Sequence, residues 1–254
     1  MRLPAATPAR IALYSDIHCD THDPRAISLA CKVFSDFKPT IQINLGDLVN
    51  MDSVSAYLSD PKKSLRLQQE LDQAFIVQTE INQACDKARR LLIKGNHEDR
   101  MRKALLRHLP GLTHLKALSI DAILRLSELG IEYVEESIGL GSVEMIHGWT
   151  AKKWAGNSVR SAIEQVGVAH SVVQGHAHRG AIITRGRGPA GPIYGVEVPT
   201  LSDYRKMDYL AGPPDWTQGV VLMEWSDGKP SFELIVFHGV TKLTALWRGR
   251  LYRA

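Results

Sequence analysis

Cysteine is scarce in this sequence, and its three occurrences are widely spaced. Cys19, Cys31 and Cys85 form neither a CxxC motif nor the spacing of a zinc finger. An odd and scattered set argues against a disulfide framework and is typical of reduced thiols inside a cell. We therefore expect a cytoplasmic protein that is stabilised by its core.

Long hydrophobic runs are also missing. No stretch approaches the roughly 18 consecutive apolar residues of a membrane-spanning helix, so no membrane partner is predicted. Residues 1–10 contain no long apolar segment that would indicate a signal peptide. Charge is nearly balanced, because 31 lysines and arginines oppose 27 aspartates and glutamates, a formal net charge of +4. This small excess is compatible with a negatively charged substrate but is weak evidence for nucleic acid.

What is present is an ordinary globular composition over 254 residues, of which 44% are hydrophobic. The first half alternates short apolar runs with segments of helical period, which favours a mostly parallel sheet. The second half is richer in short strands. We predict a single α/β domain over residues 1–254, with two packed sheets and helices outside them.

Local patterns predict where several helices begin and end. Asp23 and Pro24 supply a cap and a first-turn proline for a helix. A long helix is predicted over residues 65–89. Asn157 is the predicted cap of a later helix, and Gly167 lies just beyond the end of that helix.

Five short polar motifs each follow a predicted strand. In chain order they are Asp16-Ile17-His18, Gly46-Asp47, Gly95-Asn96-His97-Glu98, His147-Gly148 and Gly175-His176-Ala177-His178. In open α/β sheets, ligands bind at the carboxyl ends of the strands. Within DxH and HxH, residues i and i+2 of an extended backbone point to the same side, so both can reach one ion.

Each motif is weak when taken singly. A histidine at the end of a strand is more often a hydrogen-bonded structural residue, and Gly-Asp is usually a turn. Together the motifs are informative, because imidazole and carboxylate are preferred ligands of Zn, Fe and Mn. Clustered at one sheet edge, these groups would repel or be desolvated unless a cation joined them. The sequence therefore predicts a metal site.

The ordered set DxH, GD, GNHE, HG and GHxH, from residue 16 to residue 178, resembles the calcineurin-like metallophosphoesterase superfamily. Residues 95–100 and 175–179 are similar to a branch carried by phages and prophages. The resemblance implies a four-layer α/β/β/α sandwich, in which two mixed β-sheets are flanked by helices. It also implies hydrolysis of phosphate monoesters or diesters by a hydroxide held between two divalent metal ions.

The resemblance also assigns a role to individual residues. One metal ion would be held by Asp16, His18, Asp47 and His178, and the other by Asp47, Asn96, His147 and His176, with Asp47 as the bridge. A bridging carboxylate holds two cations roughly 3.5–4 Å apart. Mn is the expected metal, with Fe or Zn as alternatives. His97 corresponds to the family's histidine near the scissile phosphate, which binds no metal and is the expected catalytic side chain.

Substrate contacts are expected from Asn96 and Arg100, although Arg100 is equally compatible with a plain surface position. One departure from the family concerns the motif GDxxD, because Asn50 replaces its second aspartate. An amide brings no negative charge and stabilises an imidazolium less. Either Asp52 or Glu98 takes over this role, or His97 contributes less to catalysis than the metal ligands. We favour the smaller contribution.

Several segments outside the motifs keep more than one interpretation. Residues 50–66 form a flap over the site, a short helix or a solvated connection. Residues 245–254 form a basic, aromatic tail that suits single-stranded nucleic acid, or else a terminal strand or a partner-binding edge. Asp20 and His22 continue the DxH spacing, but a cap for the following helix is the favoured interpretation.

Two rival functions remain beside the phosphoesterase. A DNA or RNA nuclease of the same superfamily is disfavoured, because its members generally carry additional DNA-binding or coiled-coil segments. A non-catalytic metal-binding scaffold is disfavoured because such proteins usually lose ligands, whereas all seven candidates are in place here.

Overall fold

Alternation of side chains along the central strands explains the layered architecture. In the computed structural model, which describes residues 1–56, 66–207 and 214–254, Ile11 and Leu13 enter the core between two sheets. Ala12 and Tyr14, on the other face of the same strand, enter the core beneath the helices. Successive residues of a strand point to opposite faces, so a strand that is apolar on both faces requires a layer on each side.

The chain contains mixed α and β structure within the described residues. The strands are β1 Arg2–Leu3, β2 Ala9–Tyr14, β3 Ile41–Asn44, β4 Arg89–Ile93, β5 Ile131–Val134, β6 Ser137–Leu140, β7 Val143–Ile146, β8 Ser171–Gln174, β9 Ala181–Arg185, β10 Ile193–Glu197, β11 Gly219–Ser226, β12 Lys229–His238, β13 Thr244–Trp247 and β14 Arg250–Arg253. The α-helices are α1 Pro24–Phe37, α2 Leu67–Ala84, α3 Asp99–His108, α4 Ile120–Ile123, α5 Leu126–Leu129 and α6 Asn157–Val166.

Two mixed sheets result. The first has the order β14-β13-β12-β11-β2-β3-β4-β5, and the second has the order β1-β6-β7-β8-β10-β9. Helices α1 and α2 contribute to the core on the outer face of the first sheet, and α6 packs on the second. The four-layer α/β/β/α sandwich expected from the sequence is therefore confirmed.

The parallel strands of the two sheets place their carboxyl ends in the same region. In the first sheet, β2, β3, β4 and β5 are parallel neighbours. In the second sheet, β7, β8 and β10 are parallel. The loops that follow β2, β3, β4, β7 and β8 carry the five motifs.

Two predicted helix boundaries need correction. The helix predicted over residues 65–89 ends at Ala84, because the chain turns between Cys85 and Ala88 before it enters β4. Asn157 is not the cap of α6 but its first residue, and Gly156 occupies the cap position. The carboxylate of Glu197 accepts from the N–H groups of Gly156 and Val159, so it satisfies helix donors that a capping side chain would otherwise satisfy.

Other boundaries agree with the sequence. The side chain of Asp23 caps α1 by accepting from Arg25 N, with Pro24 in the first turn. Gly167 ends α6. The flap proposed for residues 50–66 includes residues 57–65, which lie outside the described residues. In the described part of this segment, residues Asp52–Val54 form a 3₁₀ turn.

The basic tail at residues 245–254 is a pair of antiparallel strands, β13 and β14. Trp247 and Tyr252 are buried, and the Trp247 ring packs against Phe37 of α1 at a centroid distance of 6.2 Å. Arg248 pairs with Glu233. The terminal-strand interpretation is the one observed, and these two buried rings are not available for stacking on a nucleic acid.

Among the described residues, no helix is both long enough and apolar enough to cross a membrane.

Candidate metal centre

The predicted ligands come from both sheets, and this corrects the expectation of a single sheet edge. The loops after β2, β3 and β4 lie at the edge of the eight-stranded sheet, and the loops after β7 and β8 lie at the edge of the six-stranded sheet. Because the sheets pack face to face, the two edges supply opposite walls of one site. All of the predicted ligand side chains meet there.

The backbone at the ligands is left-handed, not extended as the i, i+2 argument assumed. Asp16 and His18 have φ angles of 53° and 51°, and His176 and His178 have φ angles of 63° and 57°. Such conformations cost a non-glycine residue roughly 1–2 kcal/mol each, and they concentrate at functional sites. The HxH and DxH pairs therefore reach one region through tight turns.

Hydrogen bonds between neighbouring loops hold these turns in place. Asp16 N donates to Gly46 O over 3.0 Å, and His18 N donates to Asp47 O over 3.0 Å. The loop after β2 therefore runs alongside the loop after β3. His176 N donates to Asp16 Oδ2 over 2.9 Å, which connects the second sheet to the first.

One cluster of potential ligands contains Asp16, His18 and His178, all buried. His178 Nε2 lies 3.1 Å from Asp16 Oδ1 and 3.1 Å from His18 Nε2. Burial, together with the nearby His97 and His178, places the pKa of His18 well below its usual range. His18 is therefore a neutral imidazole, the form that binds metal.

A second cluster contains Asp47, His147 and His176. His147 Nε2 lies 3.3 Å from Asp47 Oδ2 and 3.2 Å from His176 Nδ1. Asn96 joins this cluster, because its Oδ1 lies 3.0 Å from the same His147 nitrogen. His147 Nδ1 donates to Leu45 O over 2.9 Å, which directs Nε2 towards the cluster.

Asp47 lies between the clusters. Its Oδ2 is 4.0 Å from His18 Nε2 in the first cluster and 3.3 Å from His147 Nε2 in the second. The same oxygen lies 3.7 Å from His97 Nε2. The structure thus brings the other six predicted ligands together around the Asp47 carboxylate.

The donor set fits divalent metal ions. Ligands that bind at about 2.1 Å lie about 3.0 Å apart on an octahedron and about 3.4 Å apart on a tetrahedron, close to the observed separations. Burial lowers the pKa of His147, but the Asp47 carboxylate outweighs it and raises that pKa to about 9. Asp47 therefore favours positive charge at this point of the second cluster.

His97 is oriented by a peptide carbonyl and not by a carboxylate. Its Nδ1 donates to Asn50 O over 2.9 Å, so Nε2 is the ring nitrogen left to face the site. Arg100 Nη1 donates to the same carbonyl oxygen over 2.7 Å and also binds Asp52 Oδ1. The Asn50 side chain points elsewhere, because its Nδ2 donates to Thr21 Oγ1.

Arg100 is therefore built into the site's wall and is not a plain surface residue. Its Nη2 lies 3.2 Å from His97 Nε2, and its side chain is only 18% exposed. Burial lowers the pKa of His97, and the Arg100 guanidinium lowers it further. The Asp47 carboxylate raises it, but the net pKa is below the usual value. Asp52 is linked to His97 through Arg100, and its charge favours the imidazolium.

Glu98 supports the loops that carry the ligands. Its carboxylate accepts from Asp47 N, Leu48 N and Gly95 N, at 2.8–2.9 Å. It therefore joins the loop after β3 to the loop after β4. This use of both oxygens explains why Glu98 does not replace the missing aspartate beside His97.

Glu70 is a supporting residue that the sequence analysis missed. Its Oε1 accepts from Asn50 N and Met51 N, each over 2.6 Å, so it holds the peptide segment that orients His97. A signal was present in the sequence, because Glu70 lies on the same buried stripe of α2 as Ala74, Val77 and Ile81. A carboxylate on an apolar stripe predicts a buried polar partner.

Gly95 permits the close approach of two ligand loops. A Cβ at this position would lie 2.1 Å from Asp47 Oδ1 and 2.4 Å from Asp47 N. We expect Gly95→Ala to weaken Mn binding at least tenfold, by analogy with the loss of outer-shell support, and to cost about 1–3 kcal/mol of stability. Calorimetric Mn titration and thermal unfolding measure both effects.

Gly111→Ala is the matched control, because a Cβ there would meet nothing within 4 Å. If Gly95→Ala bound Mn as tightly as this control, the close packing of the two loops would be irrelevant to the site.

Burial raises the pKa of Glu70 to about 8. Between pH 4.5, the usual pKa of glutamate, and pH 8 the folded state binds more protons than the unfolded state. The stability that Glu70 contributes is therefore lost as pH rises through this range, by at most about 1.4 kcal/mol per pH unit. Glu70→Gln keeps an acceptor and removes the charge. We expect its stability relative to the native protein to increase from pH 5 to pH 8 in urea unfolding with a chelator present.

The exposed Glu80 on the same helix provides the control. Glu80→Gln should show no such trend with pH. A stability difference for Glu70→Gln that stayed constant between pH 5 and pH 8 would contradict the raised pKa.

Asp20 and His22 belong to neither cluster, nor to any other ligand group among the described residues. The cap of α1 is Asp23 rather than either of them. Both residues are close in sequence to the ligands but do not join them.

Comparisons with known proteins find similarity among solved structures alone. The chain matches no protein-family model and no curated sequence. Among solved structures it is similar to Vps29 from Chaetomium thermophilum (10% identity, 99% of this chain and 95% of that chain, TM-score 0.48). It is also similar to Vacuolar Protein Sorting 29 from Cryptosporidium parvum (11% identity, 97% of this chain and 96% of that chain, TM-score 0.43). A third similar structure is Yfce, a phosphoesterase from E. coli (15% identity, 88% of this chain and 98% of that chain, TM-score 0.40). All three TM-scores are below 0.5, and the sequence identities are 15% or lower.

Proposed function

We propose that this chain is a metal-dependent phosphoesterase of the calcineurin-like metallophosphoesterase superfamily, from the branch found in phages, which hydrolyses phosphate monoesters or diesters. The observation that carries the proposal is the meeting of two ligand clusters at Asp47. A carboxylate between two groups of imidazoles is the arrangement that a pair of divalent cations requires. The DxH, GD, GNHE, HG and GHxH motifs supply every member of both clusters.

In this proposal the first metal ion is held by Asp16, His18, Asp47 and His178, and the second by Asp47, Asn96, His147 and His176. Imidazole and carboxylate ligands suit Mn, with Fe and Zn as alternatives. When bound, such a pair of ions acidifies water and neutralises charge on a phosphoryl group. The seven side chains supply the site for that chemistry, and their separations support it.

Three polar residues also bind and orient the substrate in this proposal, and one of them, Asn96, is a metal ligand as well. Asn96 and Arg100 both lie beside the ligand clusters and carry groups that can contact phosphate oxygens. His97 presents Nε2 towards Asp47 while Asn50 O holds its Nδ1. Nε2 is therefore the atom that exchanges a proton with the leaving oxygen.

We also propose that the whole chain acts as one domain in the cytoplasm. The cysteines support this location, because Cys19, Cys31 and Cys85 are free thiols in the structure. The nuclease alternative is best decided by substrate, since it requires the same metal centre.

The test is a screen of the purified protein with added Mn. Bis-p-nitrophenyl phosphate, p-nitrophenyl phosphate and labelled single- and double-stranded DNA are compared, with Asp47→Asn as the inactive control. We expect hydrolysis of at least one small ester, its loss in excess chelator and its recovery when Mn is returned. Equal rates for native protein and variant on every substrate would overturn the proposal.

A further inference from the structure

A cavity of about 690 Å³ opens beside the second ligand cluster. Asn96 and His147 form part of its wall, so a substrate whose phosphate lies at the metal centre extends its remaining part into this cavity. The volume is in the range of small-molecule sites, about 300–1,000 Å³. The lining of this cavity therefore bears on the class of substrate.

The charged side chains in the cavity are largely paired with one another. Arg2 binds Glu144 and Lys103 binds Asp99, each over 3.0 Å, and Lys94 binds Glu135. Each of these three long cationic side chains already has a carboxylate partner. A second phosphate would have to compete with those carboxylates, so the wall favours an uncharged group.

An exposed indole provides a flat apolar surface at this wall. Trp149 directly follows the ligand His147 and Gly148, lines the cavity and is 59% exposed. Ile146 and Val166 add apolar surface nearby. Every nucleic-acid base has a π-face, and stacking on an aromatic side chain is worth roughly 1–3 kcal/mol per base.

We propose that the cavity binds the base of a nucleoside phosphate, stacked on Trp149, while the single phosphate lies at the metal centre. The placement of the phosphate rests on the proposed phosphoesterase function. The stacking on Trp149 is a separate property, which a binding measurement detects with or without turnover.

The test compares two ligands that carry the same phosphate, AMP and ribose 5-phosphate, by calorimetric titration of the Mn-loaded protein. Phosphate release is assayed on the recovered samples. We expect AMP to bind roughly 5- to 100-fold more tightly, the range that stacking supplies. Trp149→Leu should remove most of this difference, and Trp149→Tyr, which keeps an aromatic ring, should retain most of it.

Trp154→Leu is the matched control, because Trp154 is 67% exposed and lies outside the cavity lining. It should keep the native preference for AMP. Equal affinities for the two ligands in the native protein, or a preference that survives in Trp149→Leu, would overturn the inference. Failure of the ester screen with a Trp149-dependent preference for AMP would instead overturn only the proposed hydrolysis.

Discussion

Replacing Asp47 with asparagine is expected to lower kcat/KM by roughly 1,000-fold or more, about 4 kcal/mol of transition-state stabilisation. Asp47 Oδ2 lies within 4.0 Å of ligand nitrogens in both clusters. An amide keeps the size of the side chain but removes the charge that would hold two cations near each other. The measurement is the rate on the best ester of the screen, with metal content determined in parallel.

Asp20→Asn is the matched control for this variant, since Asp20 lies in the same DIHCDTH segment as two ligands but in no ligand cluster. It should retain activity within a few-fold of native. Comparable losses in the two variants would indicate a general effect of negative charge near the site and would contradict a bridging role for Asp47.

Replacing His97 with alanine is expected to have a smaller effect, a loss in kcat of about 100-fold on an alkyl phosphate ester, at the low end for general acid–base catalysis. The Asn50 carbonyl orients His97 without supplying a full negative charge. Burial, together with Arg100, also disfavours the imidazolium by lowering the pKa of His97. On a p-nitrophenyl ester, whose leaving group needs little protonation, the loss should be below about tenfold.

The control is His108→Ala, at the exposed end of α3, the helix that follows His97. It should behave as the native protein on both esters. A His97→Ala variant that lost turnover as completely as Asp47→Asn, with unchanged metal content, would show that His97 is as essential as the ligands. An equal loss on both esters would remove its role in protonating the leaving group.

The candidate residues were accessible to sequence analysis because each motif is local, and their role as metal ligands stays a prediction. Asp16 and His18, or His176 and His178, are two residues apart, and Gly175 beside the second pair indicates a tight turn. The layered fold was predicted from the alternation of apolar runs with helical segments and from the resemblance. The structure agrees, since Ile11 and Ala12 enter cores on opposite faces of one strand. The backbone conformation was predicted wrongly, because the left-handed turns are held by hydrogen bonds between loops that are distant in sequence.

The surroundings of His97 were much less predictable. A motif comparison looks for a side chain at position 50, whereas the structure uses that residue's peptide carbonyl. Glu70 holds this peptide from a helix whose position relative to the loop is set only by tertiary packing. The tail was ambiguous for a similar reason, since aromatic and basic residues suit either nucleic acid or packing on α1, and burial of Trp247 distinguishes them.

Metal content is the measurement that tests the central claim most directly. Protein dialysed against Mn, freed of loose ions and analysed by mass spectrometry should contain two Mn ions per chain, and Asp47→Asn should contain fewer. A native protein that retains no divalent metal, or an Asp47→Asn variant that retains as much as native, would contradict a two-metal centre joined by Asp47.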